Sequence, residues 1–191
     1  MLPLHNEQFK QKYTNLCFYR DYETPSYKMK EAVDQLLAEG ADLAMPISAS
    51  LVVTAAWPVM KCRYGCPNYG HNRCCPPYSP AWEEMRAILG NYTTAILFRT
   101  HSITAGTPLA VSVAAGLFRR GYYKVLPFGT GPCRLCAQCT PDSCPRPWET
   151  APSMEACGAD VFATVRNAGV EVSSYAPEGS VPDCFGLILV E

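Results

Sequence analysis

The sequence predicts an α/β fold: a mixed, partly parallel sheet flanked by helices, with two cysteine-rich metal loops at one sheet edge. Three observations carry this expectation. Apolar, β-branched runs alternate with stretches of helical periodicity, the pattern that builds α/β layers. The alternation repeats coarsely: each half has a strand, a cysteine loop, a Cys-Pro pair, a proline-led helix and another strand. Cys75-Pro76 with the helix through Trp82 and Ile88 matches Cys144-Pro145 with the helix from Met154 to Val165. Finally, each cysteine loop follows a strand, and in such sheets the loops after strand ends build sites.

Element by element, residues 1–26 show weak periodicity and are expected to form an irregular arm. Residues 27–39 read as an amphipathic helix ended by Gly40. Together, 1–49 form an arm and helix, ahead of a cysteine-rich α/β domain at 50–191. Residues 50–57 are β-branched and apolar, a predicted strand. A helix is expected to open near Ser79-Pro80, run through Trp82, Met85 and Ile88, and stop at Gly90. A strand at 93–98, a helix at 107–120 closed by Gly121, and a strand at 122–128 follow. Pro152-Ser153 opens a further helix to about Asn167, and strands at 170–175 and 185–190 complete the sheet.

Composition bounds the chemistry. The chain has 191 residues, is 48% hydrophobic and carries a net charge of −1. It therefore shows no general electrostatic drive toward nucleic acid or acidic membranes. No apolar run approaches the roughly 20 residues of a membrane helix. The amino-terminal MLPLHNEQFKQ lacks the charged and apolar regions of a secretory signal, so a cytoplasmic location is expected. The outlier is cysteine, 11 in all. Reduced thiols in tight groups favour metal over disulfides, and an odd total suits a disulfide framework poorly.

The second loop, 129–150, holds Cys133, Cys136 and Cys139 at double x2 spacing, then Cys144-Pro145. This is close to the ferredoxin run C-x2-C-x2-C-x3-C-P, with the last gap one residue longer. Gly131 and Pro132 permit the tight turn that points successive thiolates inward. The spacing favours a [4Fe–4S] cluster. The alternative is a closed zinc knot on the same four cysteines, although zinc sites more often pair two separated C-x2-C hooks.

The first loop, 61–80, supplies Cys62, Cys66 and Cys75. Cys74 stands beside Cys75 as a spare or capping thiol, since adjacent cysteines rarely reach one metal. A fourth ligand could come from Cys144 or Cys157, or from His71; otherwise one iron is left open, as Lewis-acid chemistry needs. Cys157 is expected at a helix start, where the dipole lowers a thiol pKa. Glu155 is a capping partner for Ser153 or a proton carrier. Lys61, Arg63, Arg73, Arg134 and Arg146 accompany the thiols, and cations favour thiolates. Cys17 and Cys184 stand alone and read as buried apolar cysteines.

At these loops the chain resembles domain-of-unknown-function family 2284, a family of predicted metal-binding proteins. The residues that carry the resemblance are KCRYGCPNYG, CPPYSP, GYYKVLPFGTGPCRLCAQC, CPRP, PSMEACGADVF and GLILVE, which span most of 57–191. Ala151 stands where members commonly carry arginine, Cys74 is additional, and the first 50 residues match poorly. The resemblance implies cytosolic proteins of anaerobic bacteria and archaea. It also implies one ligand set of Cys62, Cys66 and Cys75 and another of Cys133, Cys136, Cys139 and Cys144. It supplies no reaction.

The sequence thus predicts an iron–sulfur protein with one or two [4Fe–4S] clusters that passes electrons to a redox or substrate partner it does not name. An iron–sulfur enzyme with an open iron, used as a Lewis acid or in sulfur handling, and a zinc-stapled interaction module are the alternatives.

Overall fold

A computed structural model describes residues 25–173, 178–180 and 182–191. The expected arm, Cys17 included, lies outside them almost entirely. Helix α1 (Pro25–Ala38) leads into strand β1 (Leu43–Ser48), and helix α2 (Trp57–Gly65) into the first cysteine loop. Helix α3 (Trp82–Leu89), strand β2 (Thr94–Thr100), helix α4 (Gly106–Arg119) and the short strand β3 (Leu126–Phe128) come next. The second cysteine loop contains only short 3-10 turns. Helix α5 (Val161–Asn167) and strand β4 (Cys184–Leu189) close the fold.

The four strands lie in the order β1-β2-β4-β3, and every neighbouring pair is antiparallel. This corrects the partly parallel sheet expected from the alternation of elements. The cause is visible in the topology. β2 and β3 do run the same way, joined by α4 as a βαβ reading requires, but β4 inserts between them and pairs antiparallel with both. Alternation in sequence detects the crossover; it does not detect the later strand that splits it.

Both faces of the sheet are covered, and the period-2 pleat decides which residue goes where. Ile96 and Phe98 of β2, with Ile188 and Val190, face α1 and α4. Their partners on the helices are Met29, Ala32 and Leu36 on α1 and Leu109, Val113 and Leu117 on α4, a helical spacing in each case. Ala95 and Leu97, with Phe185, Leu187 and Leu189, face the opposite layer, which holds Met85 of α3, Val161 and Val165 of α5, and Met154. Gly186 sits opposite Phe98 in the ladder, and a Cβ there would collide with the Phe98 ring. Glycine is required so that the aromatic ring can lie across the strand. Each edge strand carries a proline, Pro46 in β1 and Pro127 in β3. Proline lacks the N–H that an exposed edge would offer to another chain.

Four further expectations change. Residues 50–57 do not join the sheet; Ala49–Leu51 forms a 3-10 turn, and the following extended segment makes one isolated bridge, Thr54 to Ala159. The strand expected at 122–128 shortens to Leu126–Phe128, because Tyr122 packs under α4 and residues 123–124 turn. The helix expected over 152–167 is a 3-10 turn, Glu155–Cys157, then α5, separated by Gly158 at φ +77°. Residues 170–173 are not strand, and 174–177 are outside the described residues.

Helix α5 starts where Asp160 caps it, its Oδ1 accepting from the Ala163 N–H at 3.0 Å. Such a cap is worth about 1 kcal/mol. Asp160→Ala is therefore expected to lower unfolding stability by about that much, read from the denaturant midpoint at unchanged slope.

Candidate metal centres

The cysteine loops meet at one end of the sheet, where β2 and β3 stop and β4 begins. Cys62 lies in α2, and Cys66 is its C-cap, so the last turn of a helix presents both thiols. The loop then tightens through Gly70, whose N–H bonds the Pro76 carbonyl at 2.9 Å, and brings Cys74 and Cys75 inward; both are buried. The second loop is stitched to the first. Asn72 Nδ2 donates to the Cys133 carbonyl at 2.8 Å, and Arg73 Nη1 to the Pro141 carbonyl at 2.7 Å. Asn72 Oδ1 in turn accepts from the Cys74 N–H at 3.0 Å, which fixes the direction in which Cys74 leaves the backbone.

Two separate cavities result. Cys62, Cys66 and Cys75 line the first, of about 210 Å³, together with Glu155, Asp183 and Cys184. Cys133, Cys136, Cys139 and Cys144 line the second, of about 460 Å³, and Cys74 joins them as a fifth thiol. The adjacent cysteines therefore part company: Cys75 serves one cavity and Cys74 the other. His71, weighed as a ligand for the first set, lines the second cavity instead.

Electrostatics follow the same partition. Burial raises the Cys75 thiol pKa to about 12, and the charges of Cys66, Cys74, Cys62 and Cys133 add to it. Burial raises Cys74 to about 11, opposed by its contact with Thr150 Oγ1 at 2.9 Å, with Cys133, Cys139 and Cys144 adding to the rise. Cys62 is raised by burial, then by Cys66 and Glu155. Such thiols hold their protons until a cation takes their place, so metal loading must release protons.

Cys157 joins neither wall. It is fully buried in the apolar cluster beneath the sheet, and burial pushes its thiol pKa up, where a helix start was expected to lower it. The dipole argument fails because the helix begins four residues later, at Val161. Glu155 is exposed, but to the first cavity; the protein around it raises its carboxyl pKa, against the lowering effect of a backbone hydrogen bond and of Ser153. Ser153 also accepts from the Ala156 N–H at 3.3 Å, so it caps the turn that carries Glu155.

The donor sets suit a soft metal. All ten described cysteines are free thiols, and nine of them, Cys184 included, line the cavities. Thiolates select iron–sulfur clusters or zinc over hard cations. Among the described residues, no three His, Cys, Asp or Glu side chains close on one point as a single ion requires; the thiols stand around cavity walls. Arg73 and Arg134 line the second cavity, where they would offset cluster charge. Two sulfurs already accept hydrogen bonds, Cys139 from the Arg73 N–H at 3.4 Å and Cys66 from Asn68 Nδ2 at 3.8 Å. Donors to sulfur raise the potential of a bound cluster.

Sequence spacing did not reveal the position of Cys184, Asp183 or Thr150 in these walls. Cys184 is 27 residues beyond the nearest described cysteine before it, Cys157, and only the antiparallel return of β4 brings it to the site.

The two thiol walls are those of a candidate metal-binding protein. The family described as "Predicted metal-binding protein (DUF2284)" matches residues 45–190, and the chain belongs to it. No curated protein and no solved structure matches the chain. Among the described residues, no helix is long and apolar enough to cross a membrane.

Proposed function

We propose that the protein is an iron–sulfur electron carrier with two [4Fe–4S] clusters, one in each thiol-lined cavity. The observation that carries this reading is the division of Cys74 and Cys75 between two cavities, each of which still has at least three further thiols. Cys133, Cys136 and Cys139, at double x2 spacing in the second wall, favour a cluster there over a zinc staple. In the first cavity Cys62, Cys66 and Cys75 would hold the cluster; in the second, Cys133, Cys136, Cys139 and Cys144. Bound there, the clusters supply one-electron transfer.

The protein's own contribution is positioning and tuning. One peptide bond joins a wall residue of each cavity, so the centres stand next to one another. Cys136 is exposed, which makes the second cavity the side open to a redox partner. The first is walled by α2, the Glu155 turn and the start of β4.

Protein purified without oxygen is expected to be brown, with about eight iron and eight sulfide per chain, four of each per cluster. On reduction, its EPR spectrum should show coupling between two neighbouring centres. Iron-free, zinc-loaded protein from the same preparation would exclude the proposal.

A further inference from the structure

We infer that Cys184 is the fourth thiolate of the first metal centre, an assignment that rests on the two-cluster reading above. Cys62, Cys66 and Cys75 leave that set one ligand short. Among the described residues, Cys184 is the one other thiol in the wall of their cavity. Its neighbours in the chain and in space leave no better candidate. Cys74 faces the second cavity, and Cys157 is sealed in the core. Asp183 is held at 3.5 Å by His101 and at 3.7 Å by Arg99. Glu155 is an oxygen ligand, harder than the three sulfurs beside it.

The fold explains why this thiol is reliable as a ligand. Cys184 is the first residue of β4, paired with Thr100 of β2, and Thr100 is buried. Strand β4 is interior to the sheet and covered on both faces, so its first residue is fixed from below while its side chain reaches the cavity. Among the described residues, the hydrogen bond this thiol makes is a weak one, to the Pro182 carbonyl at 3.8 Å. A fourth sulfur closes the cluster, which assigns the first centre to electron storage and leaves no iron open to substrate.

The test uses the full chain, purified without oxygen, with iron, sulfide and EPR measured on wild type, Cys184→Ala and Glu155→Gln. Cys184→Ala is expected to lose about half the iron, or to show the three-iron signal of an oxidised cluster that has shed its fourth iron. Glu155→Gln is expected to keep the full complement. The unmutated protein gives a second readout that does not depend on the variant folding. In iron-loaded protein Cys184 should resist alkylation along with Cys62, Cys66 and Cys75, and all four should react after chelation, as read by mass spectrometry.

Wild-type protein without iron would sink the two-cluster reading itself. Wild type with both clusters, but Cys184 alkylated while the other three are protected, would overturn only the assignment. So would a Cys184→Ala protein with unchanged iron and EPR, or loss of the cluster in Glu155→Gln alone.

Discussion

The chain carrying Cys136→Ser and Cys139→Ser together is expected to hold about four iron and four sulfide, half the wild-type content. Two substitutions are needed because Cys74 supplies a fifth thiol to the same cavity and can stand in for a single lost ligand. With both gone, three thiols remain, one of them the buried Cys74 in contact with Thr150. The first centre should survive, since none of its wall residues is touched. The remaining reduced-state EPR signal should then be that of an isolated cluster, without coupling to a neighbour. Loss of all iron would mean that the two cavities hold one shared centre.

Phe98→Ala should destabilise the fold by about 4 kcal/mol, in the range for a fully buried phenylalanine cut back to a methyl. Phe98 is completely buried on β2 and packs with α1, α4 and Ile188. The environment makes recovery difficult. Gly186, directly opposite, has no side chain to move into the space, and the two helices above are pinned by Leu36, Val113 and Leu117. Chemical denaturation of the protein before and after iron removal gives the number, because bound metal adds its own contribution to apparent stability. A loss below about 1 kcal/mol, the range of a volume-neutral swap, would show that the α1–α4 layer collapses onto the sheet.

The legible parts of this fold were those with a clean period. Thr94–Thr100 and Cys184–Leu189 alternate or run apolar and are strands; Gly106–Arg119 repeats at helical spacing and is a helix. Strand β1 was invisible for a physical reason: LAMPIS has a proline at its centre, tolerated here because β1 is an edge. The apolar run at 50–57 misled because its burial comes from packing of a turn and an extended segment against α5, where the Val53 N–H bonds Thr164 Oγ1 at 3.0 Å. At the site, the seven cysteines of the two groups were legible because their spacing is local. The separation of Cys74 from Cys75, the remoteness of Cys157 and the arrival of Cys184 depend on how distant segments fold back, which spacing cannot encode.

Strand β4 follows every other described strand in the chain, yet fills the gap between β2 and β3. During synthesis the ribosome therefore releases both cysteine loops before the strand that anchors one side of their shared end. Until that late segment emerges, β2 and β3 have no common neighbour, and the half-built layer exposes the aliphatic sides of both. The wall of the first cavity is therefore complete only once β4 has been made, because Cys184 belongs to it.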